Sequence, residues 1–216
     1  MTPLHFFVEP DIVVYKRKGL LPYGANNVVL FICLLFFLGS IFAPYHAVSL
    51  FALHPAEFLE KPWQIITSIF LHVELWHFFI NSFVLLFFGA ELERLLGERG
   101  YLKVFFASGI AGNFAYIAYA YATESFIPAL GASGAIFGVM GCLAMIAPGI
   151  KIIIFPIPIP IGIRLALLIF ALYDLGMLML TTAHVFGTGV AYIAHLTGLA
   201  TGLLIGDRLR FRRVYA

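Results

Sequence analysis

Residues 131–148 read GASGAIFGVMGCLAMIAP. From Ala135 to Ala147 the run carries no charged side chain, and it has no polar face of the kind a surface helix needs. Gly134 and Gly138 form a small-xxx-small pair, and Gly141 extends it by one turn. Within a bilayer such a glycine face lets a second backbone approach closely. A matching pair, Gly198 and Gly202, lies on the same face as His195, at spacings of three and seven. The stretch therefore predicts a membrane helix that opens on Ser133 and packs against a later helix carrying His195.

Composition extends this reading to the whole chain. Of 216 residues, 62% are hydrophobic and 11% are charged, against roughly 45–50% and about 25% in ordinary soluble domains. Mean hydropathy is +1.00. A soluble globule of this size cannot hide that much apolar surface. The 23 Phe, and 20 Gly without a period, exclude disorder and collagen-like structure. A net charge of +2 is too small to suggest nucleic acid. Cys33 and Cys142 fall inside apolar spans, which argues against a disulfide scaffold and a cysteine metal site and leaves them as small packing residues.

A spanning helix needs about 20 mainly apolar residues. Candidates lie at 27–46, 75–95, 101–122, 133–148, 163–181 and 187–206. The expected fold is an all-α polytopic membrane protein: one six-helix domain over 25–206 between short tails at 1–24 and 207–216. Pro156, Pro158 and Pro160 exclude a regular helix over 150–162, which reads as an extended lead-in to the fifth span. Residues 47–74 mix His54, Glu57, Glu60 and Lys61 with Phe51, Phe58 and Trp63, as expected of a long loop partly in the membrane interface. With the N-terminus inside, 12 of the 13 Lys and Arg residues fall on inner segments, and only Lys61 lies outside. The positive-inside rule then makes both termini cytoplasmic, and the expected location is the plasma membrane of a prokaryote. Lys16, Arg17 and Lys18 ahead of the first span suit an uncleaved span rather than a signal peptide.

Polar side chains at membrane depth are functional candidates by default. Counted at 1.5 Å per residue, Ser133 lies about 22 Å before the inner end near Pro148, His195 about 20 Å before Arg208, and Asn81 about 20 Å before Arg94. Three parallel helices thus bring three polar residues to one level, roughly 8–10 Å below the outer face of a ~30 Å core. Docking through the glycines would join Ser133 to His195, giving a nucleophile beside its general base. Gly131 and Gly134 permit a sharp turn around Ser133. The N–H groups at a helix start favour developing negative charge. His77 and Asn81, at i and i+4, share one face. Either can donate to an oxyanion, or serve as polar glue between helices.

These residues fit a known pattern. WQIITSIFLH at 63–72, His77 with Asn81, Gly89-Ala90 followed by Glu93 and Gly97, GASG at 131–134, and AHLTGLATG at 194–202 occur in order. Over 60–206 the chain resembles the rhomboid intramembrane serine proteases. The resemblance implies a Ser133–His195 dyad with no third acid. It also implies an oxyanion hole from the Ser133 backbone N–H with the side chains of His77 and Asn81, and a Phe137 ring packed on the catalytic imidazole. Gly131, Gly134, Gly198, Gly202 and Glu93 are expected as supporting residues, Glu93 through a structural hydrogen bond. No cofactor or metal is implied. The implied partners are the lipid bilayer and transmembrane substrates with small or helix-breaking residues near the outer face. Substrates would enter between the second and fifth spans. Two positions depart from the pattern: Gln64 stands where many members carry arginine, so the loop anchor differs, and Phe137 stands where one branch has tyrosine.

Other activities need other residues. A zinc protease would need HExxH, and an aspartyl protease two carboxylates sharing a proton, whereas Asp174 is the sole intramembrane Asp. A channel would leave GASG as coincidence, and no inverted repeat is visible. The alternative that remains is a catalytically inactive rhomboid relative that binds membrane proteins as an adaptor; such relatives generally lose the serine or the histidine. His72, His54 and Trp76 read as loop or interface residues. Asp174 either faces a water-filled crevice or caps a break near Gly176, and the sequence does not choose between these.

Overall fold

The computed structural model describes residues 24–154, 157–183 and 190–214. Most of the expected tails, with Lys16, Arg17 and Lys18, and positions 187–189 of the expected sixth span lie outside them. Helix α1 (Ala25–Phe42) begins after Gly24, whose φ is +80°. The N–H groups of Ala25 and Asn26 donate to the Glu93 carboxylate at 2.7 and 2.8 Å. That contact satisfies donors which a helix start leaves open and sets negative charge at the positive end of the dipole. The expected first span, to residue 46, stops at Phe42. Pro44 forces Ala43 out of the helical region, to φ −143°, and the chain restarts as α2 (Pro44–Phe51) with proline at its first position.

The connection to the next long helix contains a 3₁₀ turn at Pro55–Glu57 and the short α3 (Gln64–Thr67). Gln64 anchors it. The side chain is fully buried; its amide donates to the Ser49 carbonyl at 3.1 Å, and its oxygen accepts from the His54 N–H at 3.1 Å. Asn113 also donates to the Ile65 carbonyl at 2.8 Å. Lys61 pairs with Glu57 at 2.6 Å, and that bond holds the Glu57 carboxyl below its ordinary pKa.

Helix α4 (Leu75–Val84) passes through a π-turn at Leu85–Gly89 into α5 (Ala90–Thr123). The Asn26 amide reaches into the widened turn and donates to the Leu85 carbonyl at 2.9 Å. Unbroken, the 49 residues from Leu75 to Thr123 would extend about 74 Å, more than twice the ~30 Å core. Gly97, at φ +72° and ψ 169°, breaks the run between the segments expected at 75–95 and 101–122.

Among the described residues, Ala25–Phe42, Leu75–Thr123 and Ile163–Thr182 are long and apolar enough to cross a membrane, and Ser133–Ile146 is a shorter apolar helix. The protein is mostly helical, with one exception. The segment expected as an extended lead-in folds as an antiparallel hairpin, β1 (Lys151–Ile154) and β2 (Ile157–Gly162), pairing Lys151 with Gly162 and Ile152 with Ile161. The β2 residues in register with β1 are Ile157, Ile161 and Gly162, and Pro158 and Pro160, which have no N–H to donate, fall between them.

Helix α6 (Ser133–Ile146) is buried on all faces. It lies between α5 and α8 (Tyr192–Val214), and α7 (Ile163–Thr182) packs on both α6 and α8. The glycines of α6 and α8 meet backbone to backbone. A Cβ at Gly198 would fall on the Gly134 carbonyl oxygen, and one at Gly202 on that of Gly138.

Candidate active site

The serine is delivered by a turn that only glycine can make. Gly131 has φ +114°, a region that residues with a Cβ rarely enter. Its N–H donates to the Ser68 carbonyl at 2.8 Å, and a Cβ there would lie 2.6 Å from Cε1 of His77. Just upstream, Leu53 and Ala129 exchange backbone hydrogen bonds of 2.8 and 2.9 Å, which tie the connection between α2 and α3 to the segment entering the turn. Ala132 is the N-cap of α6, and Ser133 is its first residue.

The histidine arrives by close backbone approach. A Cβ at Gly112 of α5 would lie 2.8 Å from the Ala194 carbonyl oxygen, and one at Gly134 of α6 would lie 3.2 Å from it. With α8 seated against both helices, His195 Nε2 lies 2.7 Å from Ser133 Oγ. Phe137 stacks on the imidazole face, with centroids 4.8 Å apart and planes 9° apart. Tyr192 meets the ring edge-on at 6.3 Å.

The other imidazole nitrogen is also engaged. His195 Nδ1 lies 3.0 Å from Asp174 Oδ2 on α7, and Asp174 is only 4% exposed. A neutral imidazole carries one proton. A proton on Nδ1 would point at the Asp174 carboxyl, and that tautomer leaves Nε2 able to accept from the serine hydroxyl. The resemblance implies a dyad without an acid, whereas here the Asp174 carboxyl stands at the second imidazole nitrogen. Helix α7 runs unbroken past Gly176, and the carboxylate turns to His195. The one mark of Asp174 in the sequence is an ionisable side chain inside an apolar stretch.

Of the two expected oxyanion donors, His77 meets the serine turn through Gly131. The Asn81 amide donates to the His77 carbonyl of its own helix at 3.0 Å. His72, read from sequence as a loop or interface residue, is fully buried. Its ring stands edge-on to His77 at 4.9 Å, and its Nδ1 lies 3.1 Å from the Phe70 carbonyl. A single histidine in a loop has no periodicity to reveal such packing. Trp76 is exposed and stacks on Phe79. Glu93 caps α1. Among the described residues no cluster of three His, Cys, Asp or Glu side chains is gathered for a metal ion.

The arrangement can activate a hydroxyl at a helix start, and comparison with known proteins points the same way. A rhomboid domain profile matches residues 59–211. The chain is 33% identical over 169 residues to Rhomboid protein 1, mitochondrial, of Saccharomyces cerevisiae, covering 74% of this chain and 47% of the yeast protein. It is 33% identical over 144 residues to the Putative rhomboid protease YdcA of Bacillus subtilis, covering 66% and 65%. It is 28% identical over 156 residues to Rhomboid-related protein 4 of Homo sapiens, covering 67% and 45%. This chain spans less than two thirds of the length of each relative. Mitochondrial and bacterial names stand side by side, so the relatives lend no support to a prokaryotic plasma membrane in particular. The profile covers well over half of the chain and takes in every residue of the serine site: the chain belongs to the rhomboid family.

Proposed function

We propose that this rhomboid is a serine endopeptidase that cleaves transmembrane segments of membrane proteins near the outer membrane face. The observation that carries the reading is the 2.7 Å contact between Ser133 Oγ and His195 Nε2 at the head of α6. In the first step Oγ bonds to the substrate carbonyl carbon while its proton passes to Nε2, and the carbonyl π pair moves onto oxygen. The C–N bond then breaks, and the proton on Nε2 goes to the leaving amine. In the second half water replaces the amine: Nε2 takes its proton, hydroxide adds to the acyl carbon, and the proton returns to Oγ as the C–O bond to Ser133 breaks. The Ser133 backbone N–H, His77 and Asn81 are the proposed oxyanion donors. An Asn amide carries two hydrogens, and the bond to the His77 carbonyl uses one.

Six spans with both termini on the inner side remain the proposed topology, supported by the Lys and Arg bias and by the Gly97 break. Substrates are proposed to be helices with small or helix-breaking residues near the outer face, because a hydrogen-bonded helix must unwind before its carbonyl can meet a nucleophile. An inactive adaptor would have no use for a hydrogen-bonded serine and histidine. The test is labelling by a serine-reactive fluorophosphonate, together with cleavage of a transmembrane substrate in proteoliposomes. Both are expected in the wild type and lost in Ser133→Ala and in His195→Ala. Substantial cleavage by Ser133→Ala would refute the assignment.

A further inference from the structure

We propose that Asp174 is a positioning residue for His195, so that the nucleophile works within a Ser133–His195–Asp174 triad; this rests on the serine endopeptidase reading. An ionisable side chain on an apolar membrane helix is disfavoured unless it turns inward to a partner. On α7, Leu172, Tyr173 and Leu175 are exposed, whereas Asp174 shares the buried stripe of Ile163, Ala166 and Leu167. The stripe faces α6 and α8, and the carboxylate ends 3.0 Å from Nδ1. With Phe137 on the ring face and Ser133 at Nε2, the imidazole is held at both nitrogens and in its plane.

Three effects follow from that contact. The carboxylate keeps the ring proton on Nδ1, holds the ring aimed at Oγ, and stabilises the imidazolium that forms when Nε2 takes the serine proton. Asp174 itself takes no proton; the Nδ1–H remains on the ring, and the Nε2 proton passes to the leaving amine. The titratable groups around the ring are Asp174 from α7, His77 from α4, whose charge would repel one on His195, and Tyr192 on α8. Tyr173 adjoins Asp174. Helix α6 contributes Ser133 and Phe137, and α5 meets this part of α8 through Gly112.

The experiment measures turnover, KM and pH profile in proteoliposomes for the wild type, Asp174→Asn and Asp174→Glu, with fluorophosphonate labelling and thermal stability recorded for each. Asp174→Asn should lower turnover by about 10² or more, towards the ~10⁴ loss that an acid-to-amide change causes in a soluble triad, with KM nearly unchanged. Without the anion the imidazolium is less stable, so the acidic limb should move down by about one pH unit. Asp174→Glu keeps the charge and should restore part of the turnover with the limb in its wild-type position. Wild-type turnover with an unmoved limb in Asp174→Asn would overturn the proposal. So would a turnover loss that tracks lost thermal stability with the limb unmoved. A limb displaced downward in Asp174→Glu would overturn it even if the Asn variant failed to fold. A wild type neither labelled at Ser133 nor active would instead refute the endopeptidase reading itself.

Discussion

Asn81 and Ser133 make separable demands on the chemistry. The serine needs its base before any charge develops, whereas an oxyanion donor matters most once the carbonyl oxygen becomes negative. Losing one such donor typically costs about 10²–10³ in turnover. With backbone and side-chain donors sharing the task, Asn81→Ala should lower turnover by roughly 10–10² and leave apparent affinity almost unchanged. A cleavage assay that resolves turnover from affinity checks this; weakened binding at intact turnover would make Asn81 a packing or recognition residue. Ser133 and His195 were legible from sequence because glycine spacing and depth both converge on them. Asp174 was not, since a single polar residue has no period and its partner lies 21 positions away. Gln64 was visible only as a departure from the arginine pattern, and its anchoring role comes from carbonyls that the sequence does not mark.

The glycine seam between α6 and α8 is the element on which the site depends. At Gly198 even one methyl group would fall on the Gly134 carbonyl oxygen, so the two backbones would have to part. Gly198→Ala should therefore destabilise by about 1–3 kcal/mol, the usual range for overpacking, and reduce turnover as Ser133 and His195 separate. Gly39, in the last turn of α1, is the control. Nothing lies within 4 Å of its Cβ position, and Gly→Ala in an open helical position is stabilising by up to about 1 kcal/mol. Thermal unfolding in detergent compares the two; equal behaviour would mean that the seam is not the constraint. The three long apolar stretches were readable from hydropathy, since each outlasts an ordinary core helix, and Ser133–Ile146 is the shorter exception. The hairpin, the π-turn and the restart at Pro44 were not, because each depends on one local backbone event within an otherwise apolar run.

For the whole molecule the proposed activity requires that a substrate helix reach a half-buried serine. Helix α4 and the π-turn after it present Trp76, Phe79, Phe83 and Phe87 outward, each ring against the next, and α7 presents Leu168, Leu172 and Tyr173. Both faces are apolar, as a route for a lipid-embedded substrate between these helices requires. A cysteine cross-link joining α4 to α7 should abolish cleavage of transmembrane substrates, with Cys33 and Cys142 buried and so slow to interfere. Undiminished turnover with the link verified would exclude that entrance. The two kinds of surface also differ in what heredity can do to them. On the outward faces one apolar side chain serves nearly as well as another, so drift can exchange leucine, isoleucine and phenylalanine there. At Gly131, Gly198 and Gly202 no smaller residue exists, and every missense change of the codon adds at least a carbon where an atom already lies. The Ser133–His195 site thus stands on positions with no neutral neighbours, and the lineage can vary its outward faces far more readily than the seam that holds its serine to its histidine.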